Sequence, residues 1–295
     1  MFGFYVLRYN QFLMDRSAVE TPSCEHEVAS GERFAFGKNW QNFLRSLSEA
    51  QISAAVASLK QMLGRESLKG QRFLDAGSGS GLFSLAARRL GAEVHSFDFD
   101  PQSVACTTTL KQRYFSLDSH WRVERASVLD PQYLQTIGTF DVVYSWGVLH
   151  HTGSMWAAAN NLIPLVGEGG LLFIALYNDQ GLASRFWKRA KRLYNQFPPS
   201  LRFLVLGPLA LPLLVTTTLG DIVHRRPLRL LSNRTLGRGM TVWTDIVDWV
   251  GGYPFEVATP GEVVDFFVPH SLMLRKLKTC GGKLGCNQFV FKRVL

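Results

Sequence analysis

The chain has 295 residues and a net charge of +9, with 46% apolar and 19% charged residues, so it can build a sizeable core and is not a disordered chain. Its four cysteines (Cys24, Cys106, Cys280, Cys286) show no CxxC spacing, which excludes a disulfide framework and reads as reduced thiols of a cytoplasmic protein. The basic excess is local: residues 181–240 hold eleven Lys or Arg against the single acid Asp221, leaving the rest of the chain close to neutral.

In chain order, the N-terminal "MFGFYVLRYNQFLMD" lacks the basic leader and sustained apolar run of an export signal. Residues 1–70 are predicted to form a helical extension through "FAFGKNWQNFL" and "SEAQISAAVASLKQML", with Trp40 either folding over a ligand as part of a lid or packing in a core. Residues 71–180 alternate short apolar runs with longer amphipathic ones. The strands fall at Arg72–Ala76, Glu93–Asp98, Trp121–Val128, Asp141–Ser145 and Leu171–Tyr177. Helices fill the gaps at Leu82–Leu90, Pro101–Tyr114, Pro131–Ile137 and Met155–Val166. Such alternation predicts an α/β domain whose parallel sheet is covered on both faces. Residues 181–250 form a basic and apolar helical insertion. Residues 251–295 supply a short closing helix begun by Thr259 and Pro260, then the strands "SLMLRKLKT" and "NQFVFKRVL" as an antiparallel hairpin at the sheet edge.

The stretch "FLDAGSGSGLF" (residues 73–83) places Asp75 at the end of the first strand and glycine at 77, 79 and 81 in the loop that follows. In an open parallel sheet that loop cradles the ligand. A dinucleotide fingerprint needs GxGxxG, and the third glycine is replaced by Leu82, so NAD is not the expected ligand. Asp98 ends the second strand at about the 20-residue spacing of a carboxylate that accepts from ribose hydroxyls.

"LDAGSGSG", "VHSFDFD", "ASVLD", "FDVVYSWGVLHH" and "GEGGLLFIALYND", in that order, resemble the successive motifs of class I S-adenosylmethionine-dependent methyltransferases. The resemblance covers residues 70 to 180 and the closing hairpin, and is nearest to the group that includes quinol methylases of ubiquinone biosynthesis and small-molecule and glycan methyltransferases. It implies a Rossmann-like, doubly wound, seven-stranded sheet, mostly parallel with an antiparallel C-terminal strand. By the same resemblance Asp75 and the backbone of Gly77, Gly79 and Gly81 would hold the methionine end of S-adenosyl-L-methionine. Asp98 would take the ribose, Phe99 would pack on the adenine, Ser127 and Val128 would meet the adenine edge, and Trp146 with Gly147 would line the face where donor and acceptor meet.

A sulfonium donor is already activated, so the protein supplies alignment and, for a hydroxyl acceptor, a general base. His151, with His150 beside it, is the candidate base, because histidine titrates near neutrality; the plainer alternative is a turn cap or packing residue. Asp245 and Asp248, near Trp243 and Trp249, read either as an acceptor-binding edge or as a solvated helix face. Cys280 and Cys286 flank "GGKLG" without histidine partners and read as a tight hairpin; no metal site is expected. The function expected is methyl transfer to a hydroxyl of a small or lipid-linked acceptor. A basic insertion would suit RNA, but "SWGVLHH" lacks the Asn/Asp-Pro-Pro-aromatic motif of base-amine methylation and no RNA-binding module is recognisable. The third reading is a non-catalytic cofactor-binding protein.

The insertion itself reads as a membrane-surface lid. "GLASRFWKRAKRLYNQF" puts Leu182, Phe186, Ala190, Leu193 and Phe197 on one face, with Arg185, Lys188, Arg189, Lys191 and Arg192 largely off it. The uncharged run 203–220 reaches spanning length but is interrupted by Pro208 and Pro212, and a single crossing would split the sheet. The chain is therefore expected on the inner face of a membrane, as a peripheral protein attracted by anionic lipid, with the lid packing on the domain as the alternative. No motif specifies the acceptor or an oligomeric state.

Overall fold

The computed structural model describes residues 23–223, 242–282 and 285–294. Five apolar runs form parallel strands: β1 (Arg72–Ala76), β2 (Glu93–Asp98), β3 (Trp121–Arg125), β4 (Phe140–Trp146) and β5 (Val166–Tyr177). β1 buries Phe73 through Ala76 without alternation because helices cover both of its sides. β6 (Leu272–Lys278) and β7 (Cys286–Arg293) close the sheet as an antiparallel pair, and β7 slots between β5 and β6 to give the order β3-β2-β1-β4-β5-β7-β6. The seven-stranded, mostly parallel architecture is the one the motifs imply. Its strand order reverses between β1 and β4, so the helices that follow these two strands cover opposite faces of the sheet and a crevice opens at the carboxyl edge.

Helices α1 (Cys24–Ala29), α2 (Phe36–Arg45) and α3 (Glu49–Leu63) precede the sheet. The crossovers are α4 (Leu82–Arg89), α5 (Pro101–Phe115), α6 (Pro131–Thr136) and α7 (Met155–Leu162). Asp100 and Asp130 accept from the first-turn N–H groups of α5 and α6, each followed by proline at the first helical position. One core layer joins α3, α4 and α5 to the sheet through Ile52, Leu59, Leu85, Leu110 and Trp121. The other sets α7 and α11 (Pro260–Phe267) against the opposite face through Ala158, Leu162, Val263 and Phe267.

The insertion contains α8 (Leu182–Gln196), α9 (Phe203–Val223) and α10 (Val242–Gly251). They pack on Phe34, Tyr177 and Phe255 as a third apolar cluster containing Trp187, Tyr194, Ala210, Ile246 and Val250. Arg225, Arg226, Arg229, Arg234 and Arg238 lie outside the described residues, as does the N-terminal stretch 1–22; of Trp243 and Asp245 only the backbone is described.

Five expectations change. β3 stops at Arg125 rather than Val128, because Ser127 turns the chain: its Oγ accepts from Leu129 N at 3.1 Å and its carbonyl from Asp130 N at 3.0 Å. α7 ends at Leu162, where Pro164 enters a short 3-10 turn, and β5 begins at Val166 rather than Leu171, past a register shift against β4. Pro208 and Pro212 do not interrupt the apolar run; α9 is one 21-residue helix with both inside, each removing a single intrahelical bond. Lys191, grouped with the basic residues off the apolar face of α8, is fully buried, because α8 turns Ser184, Trp187, Lys191 and Tyr194 inward.

Candidate functional site

The loop after β1 folds over the end of β2. Gly77 and Ser78 donate their backbone N–H groups to Phe97 O at 2.9 and 3.0 Å, and Gly79 N–H donates to Asp98 Oδ2 at 2.8 Å. Gly77 adopts φ +86°, and a Cβ there would stand 2.4 Å from Val148 Cγ1, so the β1 and β4 loops meet only if residue 77 is glycine. Gly81 starts α4 at φ +78°, and a Cβ on it would come 2.8 Å from Thr107 Cα, which fixes α4 against α5.

Above this loop lies a cavity of about 600 Å³. Asp75, Gly77, Gly79, Asp98, Phe99, Ser127, Val128, Trp146, His150 and His151 all line it. Gly81 does not; its part is the helix packing just described. Asp248 lines it as well. Residues that the motifs did not indicate complete the wall, among them Glu27, Arg33, Phe36, Tyr144 and Tyr177. Of these only Tyr144 carries a sequence signal, since it shares strand parity with Trp146.

The cavity is electronegative. Five carboxyl groups face it (Glu27, Asp75, Asp98, Asp100, Asp248) against two cationic side chains, Arg33 and Lys278, so it suits a cationic ligand and opposes a diphosphate. Burial pushes the Asp75 carboxyl up to about 7 against the opposing pull of its bond from Ser84 Oγ, and the charge of Asp98 adds to the rise. Desolvation raises Asp98 to about 6 although two backbone N–H groups, Gly79 and Asp100, bond its oxygens. Asp98 is partly accessible and lines the cavity. Each of its oxygens has a second lone pair for a hydroxyl donor.

The residues fit S-adenosylmethionine on two observations. The Tyr144 hydroxyl is buried in the cavity wall with no protein partner among the described residues, a group that a bound ligand would satisfy. The glycine loop presents backbone rather than side chains to the same space, and Trp40 lies across it, its Nε1 3.0 Å from where a Cβ of Gly79 would stand.

Hydrogen bonds distinguish the two histidines. His151 Nδ1 faces the carbonyl of Pro254 at 2.6 Å; a carbonyl only accepts, so the proton sits on Nδ1 and the lone pair of the neutral ring on Nε2. His150 has the opposite arrangement: Tyr177 N–H donates to its Nδ1 at 3.3 Å, which puts the neutral ring's proton on Nε2. His151 is thereby the one oriented as an acceptor of protons. Arg33 Nη1 donates to the His151 carbonyl at 2.8 Å, and the Phe36 ring lies 4.7 Å from the imidazole, centroid to centroid.

These last contacts come from the N-terminal helices, which roof the cavity. Gly37 N–H donates to Asp100 Oδ2 at 2.7 Å, the Arg33 guanidinium sits 5.1 Å from the Phe99 ring centroid, and Asn39 Nδ2 donates to Asp248 Oδ1 at 3.3 Å. From the far side α8 grips α10: Lys191 Nζ donates to the Trp249 carbonyl and Asn195 Nδ2 to Gly251 O at 2.7 Å. Both accepting carbonyls belong to the last turn of α10, so two buried side chains of α8 cap it. Among the described residues no three His, Cys, Asp or Glu side chains gather as a metal site requires.

A family model described as a methyltransferase domain matches residues 48–203. A ubiquinone biosynthesis O-methyltransferase of Xanthomonas campestris pv. campestris (strain B100) is 33% identical over 172 residues, covering 56% of this chain and 67% of that protein. Its namesake in Xanthomonas euvesicatoria pv. vesicatoria (strain 85-10) is 33% identical over 115 residues, 39% of this chain and 46% of its own length. Among solved structures, magnesium protoporphyrin IX methyltransferase from Synechocystis PCC 6803 with bound SAH aligns at a TM-score of 0.48 and 13% identity over 97% of this chain and 94% of that one.

Proposed function

The chain belongs to the class I S-adenosylmethionine-dependent methyltransferases, and on that premise we propose that it methylates a hydroxyl of a small or lipid-linked acceptor, with His151 taking the hydroxyl proton. The observation that supports this reading is the bond from His151 Nδ1–H to Pro254 O, which leaves the lone pair of the neutral ring on Nε2 in a residue that lines the cavity. The relatives' names, O-methyltransferases of ubiquinone biosynthesis, support an oxygen acceptor.

S-adenosylmethionine, when bound, supplies a methyl group already activated on a cationic sulfur. Asp98 would accept from the ribose hydroxyls, Phe99, with the Arg33 guanidinium 5.1 Å from its ring centroid, would pack on the adenine, and Ser127 and Val128 would close the adenine edge. The Asp75 carboxyl and the Gly77–Gly79 backbone would hold the methionine end. Trp146 and Gly147 border the space where the acceptor oxygen must stand in line at about 3 Å from the carbon it attacks. Trp40, Phe36 and Arg33 cover the cavity and limit water.

The acceptor is supplied, in this reading, from an anionic membrane surface. α8 exposes Leu182 (80%), Phe186 (55%) and Leu193, interspersed with the exposed Arg185, Lys188, Arg189 and Arg192. α9 adds the exposed apolar residues Phe203, Leu204, Leu211 (62%), Val215 and Leu219. Apolar side chains ringed by cations match a headgroup boundary, where each Lys or Arg near anionic lipid adds about 1 kcal/mol. Among the described residues no helix is long and apolar enough to cross a membrane, and the insertion leaves from β5 and returns to β6 and β7 of the same sheet, so the contact in this reading is a surface one. The test supplies methyl-labelled S-adenosylmethionine with lipid extract, soluble metabolites and RNA in parallel. Label in the lipid or metabolite fraction supports the proposal; label in RNA alone overturns it.

A further inference from the structure

The last two strands bring two cysteines together beside the cavity. Register between β6 and β7 pairs Leu277 with Phe289 and Lys278 with Gln288, and the same register continued two steps past the end of β6 would set Cys280 opposite Cys286. Directly opposed residues of an antiparallel pair have Cα atoms about 4.5–5.5 Å apart, inside the span of a disulfide, about 4.4–6.8 Å. The turn is drawn tight at this point: Cys280 Cβ lies 3.4 Å from where a Cβ on Gly285 would stand, and Cys280 N–H donates to Asn287 Oδ1 at 3.1 Å. Asn287 in turn donates to Asn178 Oδ1, and Asn178 N–H to Gly285 O, which ties the turn to the end of β5.

We propose that Cys280 and Cys286 are a modification site, a thiol pair that forms a reversible disulfide in the wall of the cavity. Both stand as thiols here and both are partly exposed, so a small oxidant reaches them. Cys24 and Cys106 are the contrast: both are buried, and burial pushes their thiols up to about 12 and about 11, which makes them poor nucleophiles. Cys286 also lies close enough to Lys191 for their charges to interact. The oxidant is a low-molecular-weight disulfide. The Cys286 thiolate attacks one of its sulfurs and expels one thiolate; the Cys280 thiolate then attacks the sulfur of Cys286 and expels the other. The two cysteines lose two electrons and two protons, and the oxidant leaves as two thiols. Because Cys286 pairs with Tyr177 of β5 and lines the cavity beside Gln288, the bond fixes the wall next to His150.

The experiment treats the full-length protein with glutathione disulfide, alkylates the remaining thiols and maps tryptic peptides by mass. Lys283 lies between the two cysteines in sequence, so cleavage there leaves them on separate peptides unless a disulfide joins them. The expected result is a joined peptide pair, two hydrogens lighter than the sum of its parts and separated by a dithiol. Cys280→Ser and Cys286→Ser should each trap a glutathione adduct on the remaining cysteine, a readout that needs no activity. Cys280 and Cys286 both alkylated in the wild type under conditions that give those adducts, or joined only between two chains, would overturn the proposal.

Discussion

His151 owes its assigned role to one hydrogen bond, since a ring whose Nδ1 proton is held by the Pro254 carbonyl can only offer Nε2. His151→Ala should lower methyl transfer by about 10²-fold or more while leaving cofactor affinity near the wild-type value, measured by turnover and calorimetry on the same preparation. His150→Ala should instead perturb folding, because its Nδ1 accepts the Tyr177 N–H inside the core. Asp98 is tied to the backbone through both oxygens and still has lone pairs toward the cavity. Asp98→Ala should therefore weaken S-adenosylmethionine by about 1–3 kcal/mol in calorimetry, and an unchanged affinity would remove it from the ribose site. At Gly77 the steric demand is sharper: φ is +86° and Val148 occupies the Cβ position, so Gly77→Ala should abolish cofactor binding before it unfolds the sheet.

The lid elements divide what could be read along the chain from what could not. Asp75, the glycine loop and Asp98 belong to contiguous strand-loop-helix segments whose local spacing carries their geometry. Arg33, Phe36 and Tyr177 reach the same cavity from separate elements, and no local pattern marks an arginine that will bond a carbonyl 118 positions away. Lys191 shows the same limit in reverse. A helical projection puts this lysine off the apolar face, but the carbonyl that accepts its hydrogen bond belongs to Trp249 on α10, and three rings, Tyr177, Trp249 and Phe255, surround its ammonium. The projection of α8 into an apolar and a basic face was otherwise informative, because Leu182, Phe186 and Leu193 do point outward. Replacing Phe186 and Leu193 by serine should cut flotation with anionic vesicles several-fold without changing cofactor affinity, and wild-type binding should fall as salt rises. Binding that ignores both the replacement and the salt would leave α8 and α9 as a lid for the domain alone.

At the scale of the whole molecule the buried charges give stability a defined pH dependence. Asp75 and Asp98 have folded values of about 7 and about 6, above the ordinary carboxyl value of 3.8, so the folded protein binds more protons than the unfolded chain between these limits. Their contribution is most favourable below the ordinary value and is lost as pH rises toward 7. Lys191 has the opposite sign: burial lowers it from 10.5 to about 7, so the unfolded chain holds the extra proton above 7 and stability rises with pH in that range. Melting temperature of the cofactor-free protein should thus pass through a minimum near neutrality. Lys191→Met should flatten the alkaline side, and saturating S-adenosylmethionine, a cation beside ionised carboxylates, should flatten the acid side. Under the proposed function the cavity, its carboxylates and the oriented imidazole serve transfer of a methyl group to oxygen. The most direct measurement supplies S-adenosylmethionine with a carbon-13 methyl group, together with membrane lipid extract, and reads the chemical shift of the transferred methyl carbon in the product. An O-methyl resonance that appears with the wild type and is lost with His151→Ala is the expected result; an N-methyl or C-methyl resonance, or an O-methyl signal undiminished in the variant, would contradict it.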